Sequence, residues 1–306
     1  MGRSGPLGEG TVAAMSGLDP NPSAAASDDP LLGALDRLEP AARAYLDLLQ
    51  RCLTREAFLD QEWWDADLSE WPGGRDQVLA VLRDRDWRIV RRGDPEARAE
   101  GRDWPPGAET MIGTARLDNV ARCCVTALLD DVPGDLIETG VWRGGTTILM
   151  RAALQALGDT DRTVWVADSF EGLPVPDARY PADDGLDWSH VQVLKVDAEA
   201  VRTNFARYGL LDDRVQLLEG WFADTLPDAP IESLAVLRLD GDLYGSTMDA
   251  LVALEPKVSP GGFVIVDDYG GWEPCRAAVQ DYRAAHGIEV PIHTVDWTGV
   301  WWRKPF

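Results

Sequence analysis

Short apolar runs alternate with longer segments of mixed polarity from Gly134 onward. The runs predict buried strands near five segments, 135–140, 163–168, 214–219, 234–240 and 261–267. Helical segments fill several of the intervals, and this alternation is typical of an α/β fold with a doubly wound sheet. Two more apolar, β-branched runs, 291–297 and 299–304, predict a closing hairpin that inserts an antiparallel strand. We therefore expect a seven-stranded, mostly parallel sheet, and we assign residues 111–306 to this domain.

The region before this alternation has a different character. Residues 1–30 are mostly Gly, Ser, Ala, Pro and Asp, and they bury too little apolar surface to offset their ordering entropy, so we expect a disordered tail. Residues 31–110 are expected to form a helical lid, with amphipathic helices in 31–59 and another helix in 77–85. The stretch 88–108, which carries Arg, Gly and Pro, predicts an exposed loop.

Composition narrows the classes of partner. The chain has 306 residues and a net charge of −23, which argues against nucleic acid or an anionic membrane surface, because both are bound by basic patches. No apolar run reaches the ~20 residues that span a bilayer, and no secretory signal is visible. The four cysteines lack zinc-site spacing, and adjacent Cys123 and Cys124 are typical of buried thiols in a reducing compartment. We therefore expect a cytoplasmic protein.

Carboxylates end two of the predicted strands. The run Leu237–Leu239 leads into Asp240 and Asp242, and the run 264–266 leads into Asp267 and Asp268. Because parallel strands open at their C-terminal ends into the ligand crevice, neighbouring strands would bring these four side chains together. Such crowded carboxylates repel one another unless a divalent cation lies between them, which predicts a hard-metal site of the magnesium type. The alternative is a set of strand-end acids that face solvent.

The first predicted strand leads into a turn suited to a cofactor. Residues 135–147 are a short strand, a turn with glycines at 140, 144 and 145, and the start of an apolar helix. The glycine spacing does not match the Gly-x-Gly-x-x-Gly of dinucleotide-binding proteins. Glu138 at the strand end suits an ammonium or hydroxyl group, and Asp168 ends the next strand, where a ribose diol is commonly held. These features favour S-adenosylmethionine over NAD.

Several motifs, in order, resemble the macrocin O-methyltransferase family, whose members methylate sugar hydroxyls on macrolide and aminocoumarin antibiotics. The resemblance extends from about Ala42 to Lys304. The matching segments are Glu138–Gly145, Ala167–Pro174, Leu237–Tyr244, Val266–Tyr269, Thr110–Gly113, Arg116–Asn119, Gly220–Phe222 and Asp224–Pro227.

The resemblance implies a Rossmann-like class I methyltransferase, with helices on both faces of the sheet, that uses S-adenosylmethionine and Mg²⁺. It implies Asp240, Asp267 and Asp268 as metal ligands and Asp242 as a candidate general base. It also implies a small-molecule glycoside as substrate and a homo-oligomer of two or more chains. The implied cofactor-binding residues are Thr110, Met111, Glu138, Gly140, Gly144, Asp168, Ser169, Gly220 and Trp221.

The sequence leaves alternatives open for the role of Asp242, for the acceptor and for catalysis itself. Asp242 is either the base or an acid that hydrogen-bonds a water on the metal. A catechol or phenol would chelate the same cation, so the core motifs do not distinguish a phenolic from a sugar acceptor. A non-catalytic scaffold that binds S-adenosylmethionine is a third interpretation, although the complete set of acids argues against it. Trp104 and Trp142 are candidates for covering an apolar aglycone, and His190 for touching the substrate.

Overall fold

The computed structural model describes residues 29–61, 63–65, 75–85, 87 and 89–306. The α-helices are α1 (Pro40–Leu53), α2 (Arg75–Asp84), α3 (Pro95–Ala99), α4 (Thr114–Leu129), α5 (Gly145–Ala156), α6 (Ala198–Arg207), α7 (Phe222–Thr225), α8 (Tyr244–Leu254) and α9 (Glu273–Ala285). The strands are β1 (Trp63–Asp65), β2 (Val90–Arg92), β3 (Asp135–Thr139), β4 (Val164–Asp168), β5 (Val215–Glu219), β6 (Leu234–Leu239), β7 (Val258–Val266), β8 (His293–Thr294) and β9 (Val300–Arg303). Short 3₁₀ turns lie at Ala34–Arg37, Glu56–Gln61, Pro181–Asp183, Gln192–Leu194 and Glu255–Lys257.

The main sheet has seven strands in the order β5–β4–β3–β6–β7–β9–β8. The strands from β5 to β7 are parallel, and β9 lies antiparallel between β7 and β8. The predicted seven-stranded, mostly parallel sheet with an inserted antiparallel strand is confirmed. Strands β1 and β2 form a separate antiparallel pair.

Helices cover both faces of the sheet, because the central strands are apolar on both sides. On one face, Leu136 of β3 and Val236 of β6 share a core with Leu117 of α4 and Ile148 of α5. On the other face, the next residues along the same strands pack against α8 and α9; the members include Ile137, Leu237, Leu251 and Val279. Continuous apolar runs are expected of parallel strands that are buried on both sides.

The described part of the N-terminal region packs onto this domain. Helix α1 places Leu46, Leu49 and Leu53 in the same core as α4 and α5. The expectation of an exposed loop over 88–108 is wrong, because this stretch contains β2 and α3, and Arg98 and Ala108 are fully buried. Apolar periodicity does not reveal this burial, because hydrogen bonds from the buried Arg98 to backbone carbonyl oxygens, including those of Thr54 and Asp103, attach the stretch to its neighbours. The predicted tail falls mainly on residues 1–28, outside the described residues.

Strand order reverses between β3 and β6, since β4 follows β3 on one side and β6 lies on the other. In open α/β sheets, the crevice outside the C-terminal ends of the strands at such a point is the usual ligand site. None of the helices described here is long and apolar enough to cross a membrane.

Candidate active site

A cavity of about 640 Å³ opens at this edge of the sheet. Its walls come from the turns after β3, β4, β6 and β7, together with parts of segments 101–116 and 172–183. The volume lies within the range of small-molecule sites. The cavity therefore occupies the position that the strand order predicts.

Glu138 forms the base of one half of this cavity. Its side chain is buried, and its Oε1 accepts a hydrogen bond from Arg238 Nη1. Its Oε2 has no hydrogen-bond partner among the described residues. Burial raises the pKa of Glu138 to about 8, although the positive charge of Arg238 opposes the increase. A ligand that offers an N–H or O–H group would satisfy this oxygen.

The glycines of the turn after β3 have different surroundings. Gly140 has φ +85°, and a Cβ there would lie 1.7 Å from the backbone oxygen of Asp240. The small residue is therefore required where the ends of β3 and β6 meet, which the sequence did not indicate. Gly144 also has φ +85° and precedes α5, but it is not among the residues that line the cavity.

Asp168 joins the turns that follow β3 and β4. Its Oδ2 accepts a hydrogen bond from Val141 N at 2.7 Å, and its Oδ1 accepts one from Phe170 N at 2.8 Å. Burial raises the pKa of Asp168, and these backbone hydrogen bonds oppose the increase. The carboxylate lines the cavity while it holds both turns in place.

The remaining residues implied for the cofactor divide into two groups. Thr110, Met111, Ser169 and Trp221 line the cavity together with Glu138, Gly140 and Asp168. Gly220 has φ +140° and directs the chain into Trp221, but it does not line the cavity itself. The cofactor roles of all nine residues stay predictions, and the position of Gly144 and Gly220 outside the cavity lining gives these two the least support.

The predicted metal ligands converge on the other half of the cavity. Oxygens of Asp240, Asp267 and Asp268 all lie within 4.8 Å of one another. Asp242 also lines this part of the cavity, and its backbone N–H donates to Asp268 Oδ2 at 3.2 Å. Asp242 has φ +56°, a left-handed conformation that aspartate tolerates better than most residues. Strained backbone of this kind occurs often at functional sites.

Two buried arginines hold the carboxylates, and sequence reasoning gave neither a role. Arg238 Nη1 donates to Asp240 Oδ2 at 2.8 Å, and its Nη2 donates to Asp267. Arg116 Nη1 donates to the other oxygen of Asp267, and its Nε donates to Asp296 at 3.0 Å. For Arg238, the signal was available, because a charged residue inside an apolar strand needs a buried partner. For Arg116, the sequence carries no comparable signal.

Burial and mutual repulsion raise the pKa values of three acids in this cluster, although Arg238 opposes the increase at Asp240. The pKa of Asp240 rises to about 6, through burial and the charge of Asp267. The pKa of Asp242 rises to about 7, through burial and the charge of Asp240. Burial and then the charge of Asp242 raise the pKa of Asp268 well above its ordinary value. The site thus carries more negative charge than its two arginines offset.

These observations fit a divalent cation. The donor set consists of carboxylate oxygens, which Mg²⁺ prefers, and the excess negative charge favours a cation over water. Each oxygen of Asp267 accepts one hydrogen bond from an arginine, so the arginines orient this carboxylate while lone pairs remain for a metal. Asp240, Asp267 and Asp268 are therefore the residues that would hold the ion.

Another wall of the cavity lies near the four carboxylates. It is the segment 172–183, which docks on α8 through Asp183 and Tyr180. Asp183 accepts hydrogen bonds from the backbone N–H groups of Tyr244 (2.7 Å) and Gly245 (2.8 Å), so it caps the N-terminus of α8. Tyr180 Oη donates to Asp249 at 2.7 Å. Because α8 begins directly after Asp242 and Leu243, this wall is fixed relative to the acids.

Some of the aromatic residues predicted to contact the substrate line the cavity and others do not. Trp104 and Trp142 line the cavity, as do Trp272 and Trp297, for which the sequence predicted no role. His190 stacks on Trp188 at 6.5 Å between ring centroids and is not among the lining residues, so a substrate contact for it stays a prediction.

Comparison with known proteins identifies the family. The profile of the Macrocin-O-methyltransferase (TylF) family matches residues 42–304. The chain belongs to the macrocin O-methyltransferase family. The resemblance read from the motifs is thereby confirmed: the protein is an O-methyltransferase, and membership of this family implies S-adenosylmethionine as the methyl donor.

Two relatives and one solved structure illustrate the similarity. The chain is 52% identical over 269 residues to the 8-demethyl-8-(2,3-dimethoxy-alpha-L-rhamnosyl)-tetracenomycin-C 4'-O-methyltransferase of Streptomyces olivaceus, covering 87% of this chain and 94% of the relative. It is 54% identical over 211 residues to the demethyldecarbamoylnovobiocin O-methyltransferase of Streptomyces niveus, covering 68% and 80%. The structure of the O-methyltransferase NovP aligns with a TM-score of 0.75 at 46% identity, covering 87% of this chain and all of NovP.

Proposed function

We propose that this O-methyltransferase transfers a methyl group from S-adenosylmethionine to a sugar hydroxyl of a glycosylated natural product of the macrolide or aminocoumarin type, and that it requires a divalent cation such as Mg²⁺. The observation that carries the proposal is the convergence of Asp240, Asp267 and Asp268, with Asp242 beside them, in a cavity whose other half is built around Glu138. The name of the Streptomyces olivaceus relative, which specifies a rhamnosyl substrate, supports the sugar acceptor.

The chain has to bring a hydroxyl and a methyl donor into line. On the donor side, Glu138 offers an unsatisfied oxygen, and Trp221 lies at the cavity wall. On the acceptor side, a bound cation lowers the pKa of a hydroxyl that contacts it. Asp242 lies in the cavity two residues after Asp240, where it would accept the proton from the hydroxyl that is methylated. Alignment of the two reactants supplies much of the remaining rate increase.

The wall 172–183 gives the acceptor side its shape. Val175 is 65% exposed and lines the cavity, which offers apolar surface to an aglycone while the sugar reaches the acids. The hydrogen bond between Tyr180 and Asp249 holds this wall on α8. We infer that a glycoside with a bulky aglycone fits this arrangement better than a free sugar does.

Turnover with and without a chelator tests the proposal. The protein would be incubated with radiolabelled S-adenosylmethionine and a panel of glycosylated macrolides, aminocoumarins and tetracenomycins, together with simple catechols, in Mg²⁺ or EDTA. Mg²⁺-dependent methylation of a glycoside supports the proposal. Turnover on catechols alone would show that the acceptor is a phenol and not a sugar. Full activity in EDTA would contradict the metal site.

Asp242→Asn tests the general base directly. Asparagine adopts the left-handed conformation at this position as readily as aspartate does, so the fold should be retained. We expect kcat to fall by about 10²- to 10⁴-fold, with the affinity for S-adenosylhomocysteine unchanged. Asp213→Asn, an exposed acid at the opposite edge of the sheet, is the matched control and should keep wild-type turnover. A loss below about tenfold would instead favour Asp242 as an acid that only orients water.

We also infer from the family resemblance that the protein works in the cytoplasm as a dimer or larger homo-oligomer. Light scattering of the purified chain measures the oligomeric state, and a monomer at micromolar concentration would contradict this part of the proposal.

A further inference from the structure

Arg98 of α3 is fully buried and is not itself part of any motif identified in the sequence. All five of its N–H groups donate to backbone carbonyl oxygens of other segments. The acceptors are Thr54 (2.8 Å, from Nε), Asp103 (2.8 Å) and Met111 (3.0 Å) from Nη1, and Ile112 (2.6 Å) and Thr110 (3.3 Å) from Nη2. Burial lowers the pKa of Arg98 to about 10, so it remains charged at neutral pH.

Three of these carbonyl groups belong to the consecutive residues 110–112, which line the cavity. These residues are in neither a helix nor a strand, so no backbone ladder fixes their path. Buried carbonyl groups need a donor, and Arg98 supplies one to each of the three. The guanidinium thus satisfies the carbonyl groups of this segment, as a neighbouring strand would in a sheet.

The same segment lies against the turn that begins α5. Gly145 N donates to Glu109 O at 2.9 Å, so residue 109 touches the first residue of that helix. At its other end, a Cβ on Gly113 would lie 2.1 Å from Ala99 O, which shows how closely the segment packs on α3. Residues 110–112 are therefore held between α3 and the turn after β3.

We propose that Arg98 is a positioning residue that holds residues 110–112 in the path that closes the donor side of the cavity, and so sets the affinity for S-adenosylmethionine. This inference rests on the proposed location of the cofactor. Lysine does not replace arginine in this role, because an ammonium has three donors on one atom, whereas the five donors of a guanidinium form a rigid fork.

Binding of S-adenosylhomocysteine by Arg98→Lys and Arg98→Met tests the proposal without turnover. Calorimetry should show affinity about tenfold lower in Arg98→Lys and lower still in Arg98→Met, since each variant loses several hydrogen bonds that order the segment. The KM for the acceptor should change less than twofold. Hydrogen exchange of the cofactor-free protein should be faster at 109–113 in both variants than in the wild type.

Arg162→Lys is the matched control. Arg162 also donates to two backbone carbonyl groups, Val132 O at 2.6 Å and Gly134 O at 2.8 Å, but it precedes β4 at the edge of the sheet opposite the cavity. We expect this variant to lose stability while it keeps wild-type affinity for S-adenosylhomocysteine. Equal weakening in Arg98→Lys and Arg162→Lys would overturn the proposal, because a general loss of stability would then explain both.

The remaining outcomes separate this inference from the proposed function. A wild-type protein that binds S-adenosylhomocysteine, with unchanged affinity in Arg98→Lys, overturns the role of Arg98 alone. A wild-type protein that does not bind it overturns the cofactor site and this inference together. If neither variant folds, hydrogen exchange of the wild type decides: protection at 109–113 comparable to that of α4 supports the proposal, and rapid exchange there overturns it.

Discussion

Arg238 and Asp267 form a buried ion pair that joins the ends of neighbouring strands β6 and β7, and each side chain is less than 7% exposed. The same guanidinium contacts Glu138 and Asp240, so one residue of an apolar strand links the half of the cavity around Glu138, proposed for the methyl donor, to the half proposed for the metal. The geometry of both halves therefore depends on a side chain that is buried and does not line the cavity.

Arg238→Met should destabilise the protein strongly. It leaves buried carboxylates without a counter-charge, and breaking one side of a buried pair costs about 3–5 kcal/mol. Arg37→Met is the control, because Arg37 is 45% exposed and its pair with Asp130 (3.0 Å) should contribute about 1 kcal/mol or less. Urea unfolding in EDTA measures both free energies, and equal small losses would contradict the importance of the buried pair.

Gly140→Ala should disturb the structure around the proposed metal site far more than Gly158→Ala disturbs its own surroundings. Both glycines have positive φ, so both variants incur a backbone cost of about 1–2 kcal/mol. Nothing lies within 4 Å of a Cβ at Gly158, whereas at Gly140 a Cβ would overlap the Asp240 backbone. The proposed metal site predicts that Mg²⁺ raises the Tm of the wild type, and we expect Gly140→Ala to lose this increase, because Asp240 is displaced. A normal increase in Gly140→Ala would refute the packing argument.

Asp268→Asn should affect stability in opposite directions with and without metal. Burial and neighbouring acids raise the pKa of Asp268, so its charge opposes folding when no cation is present. In EDTA the variant should unfold at a Tm equal to or above that of the wild type, and Mg²⁺ should raise its Tm much less. Thermal unfolding in EDTA and in Mg²⁺ measures both effects, and a full response to Mg²⁺ would remove Asp268 from the ligand set.

In EDTA, stability should fall as the pH rises from about 4 to about 8. The pKa values of Glu138, Asp240 and Asp242 are about 8, 6 and 7 in the folded protein, above their ordinary values. The folded state therefore binds more protons than the unfolded chain in this window, and the free energy of unfolding decreases with pH. Glu138→Gln should flatten the slope, most clearly between pH 6 and 8. A slope of the opposite sign would contradict the raised pKa values.

Sequence patterns were sufficient to predict the strands and helices, because the interactions that determine these elements are local. The apolar runs at 135–139 and 234–239 indicate strands that are buried on both faces, and their alternation with helical segments predicts the parallel sheet. The acids at 240, 242, 267 and 268 follow strands, so the strand order alone brings them to one edge. Their convergence was therefore predictable from the sequence, because it follows from the geometry of parallel strands.

The sequence by itself thus determined the fold, the family and the positions of the acids. Only the tertiary structure decided the partners of the buried arginines: Arg116 reaches Asp267 across 151 positions of sequence, and Arg98, which lies in a stretch whose pattern indicated an exposed loop, donates to the carbonyl oxygens of residues 110–112. The structure also showed that Gly140 makes room for the Asp240 backbone. The physical reason is that apolar periodicity records which face of an element is buried. The partner of a buried charge or a close backbone contact is set by segments brought together only when the chain folds.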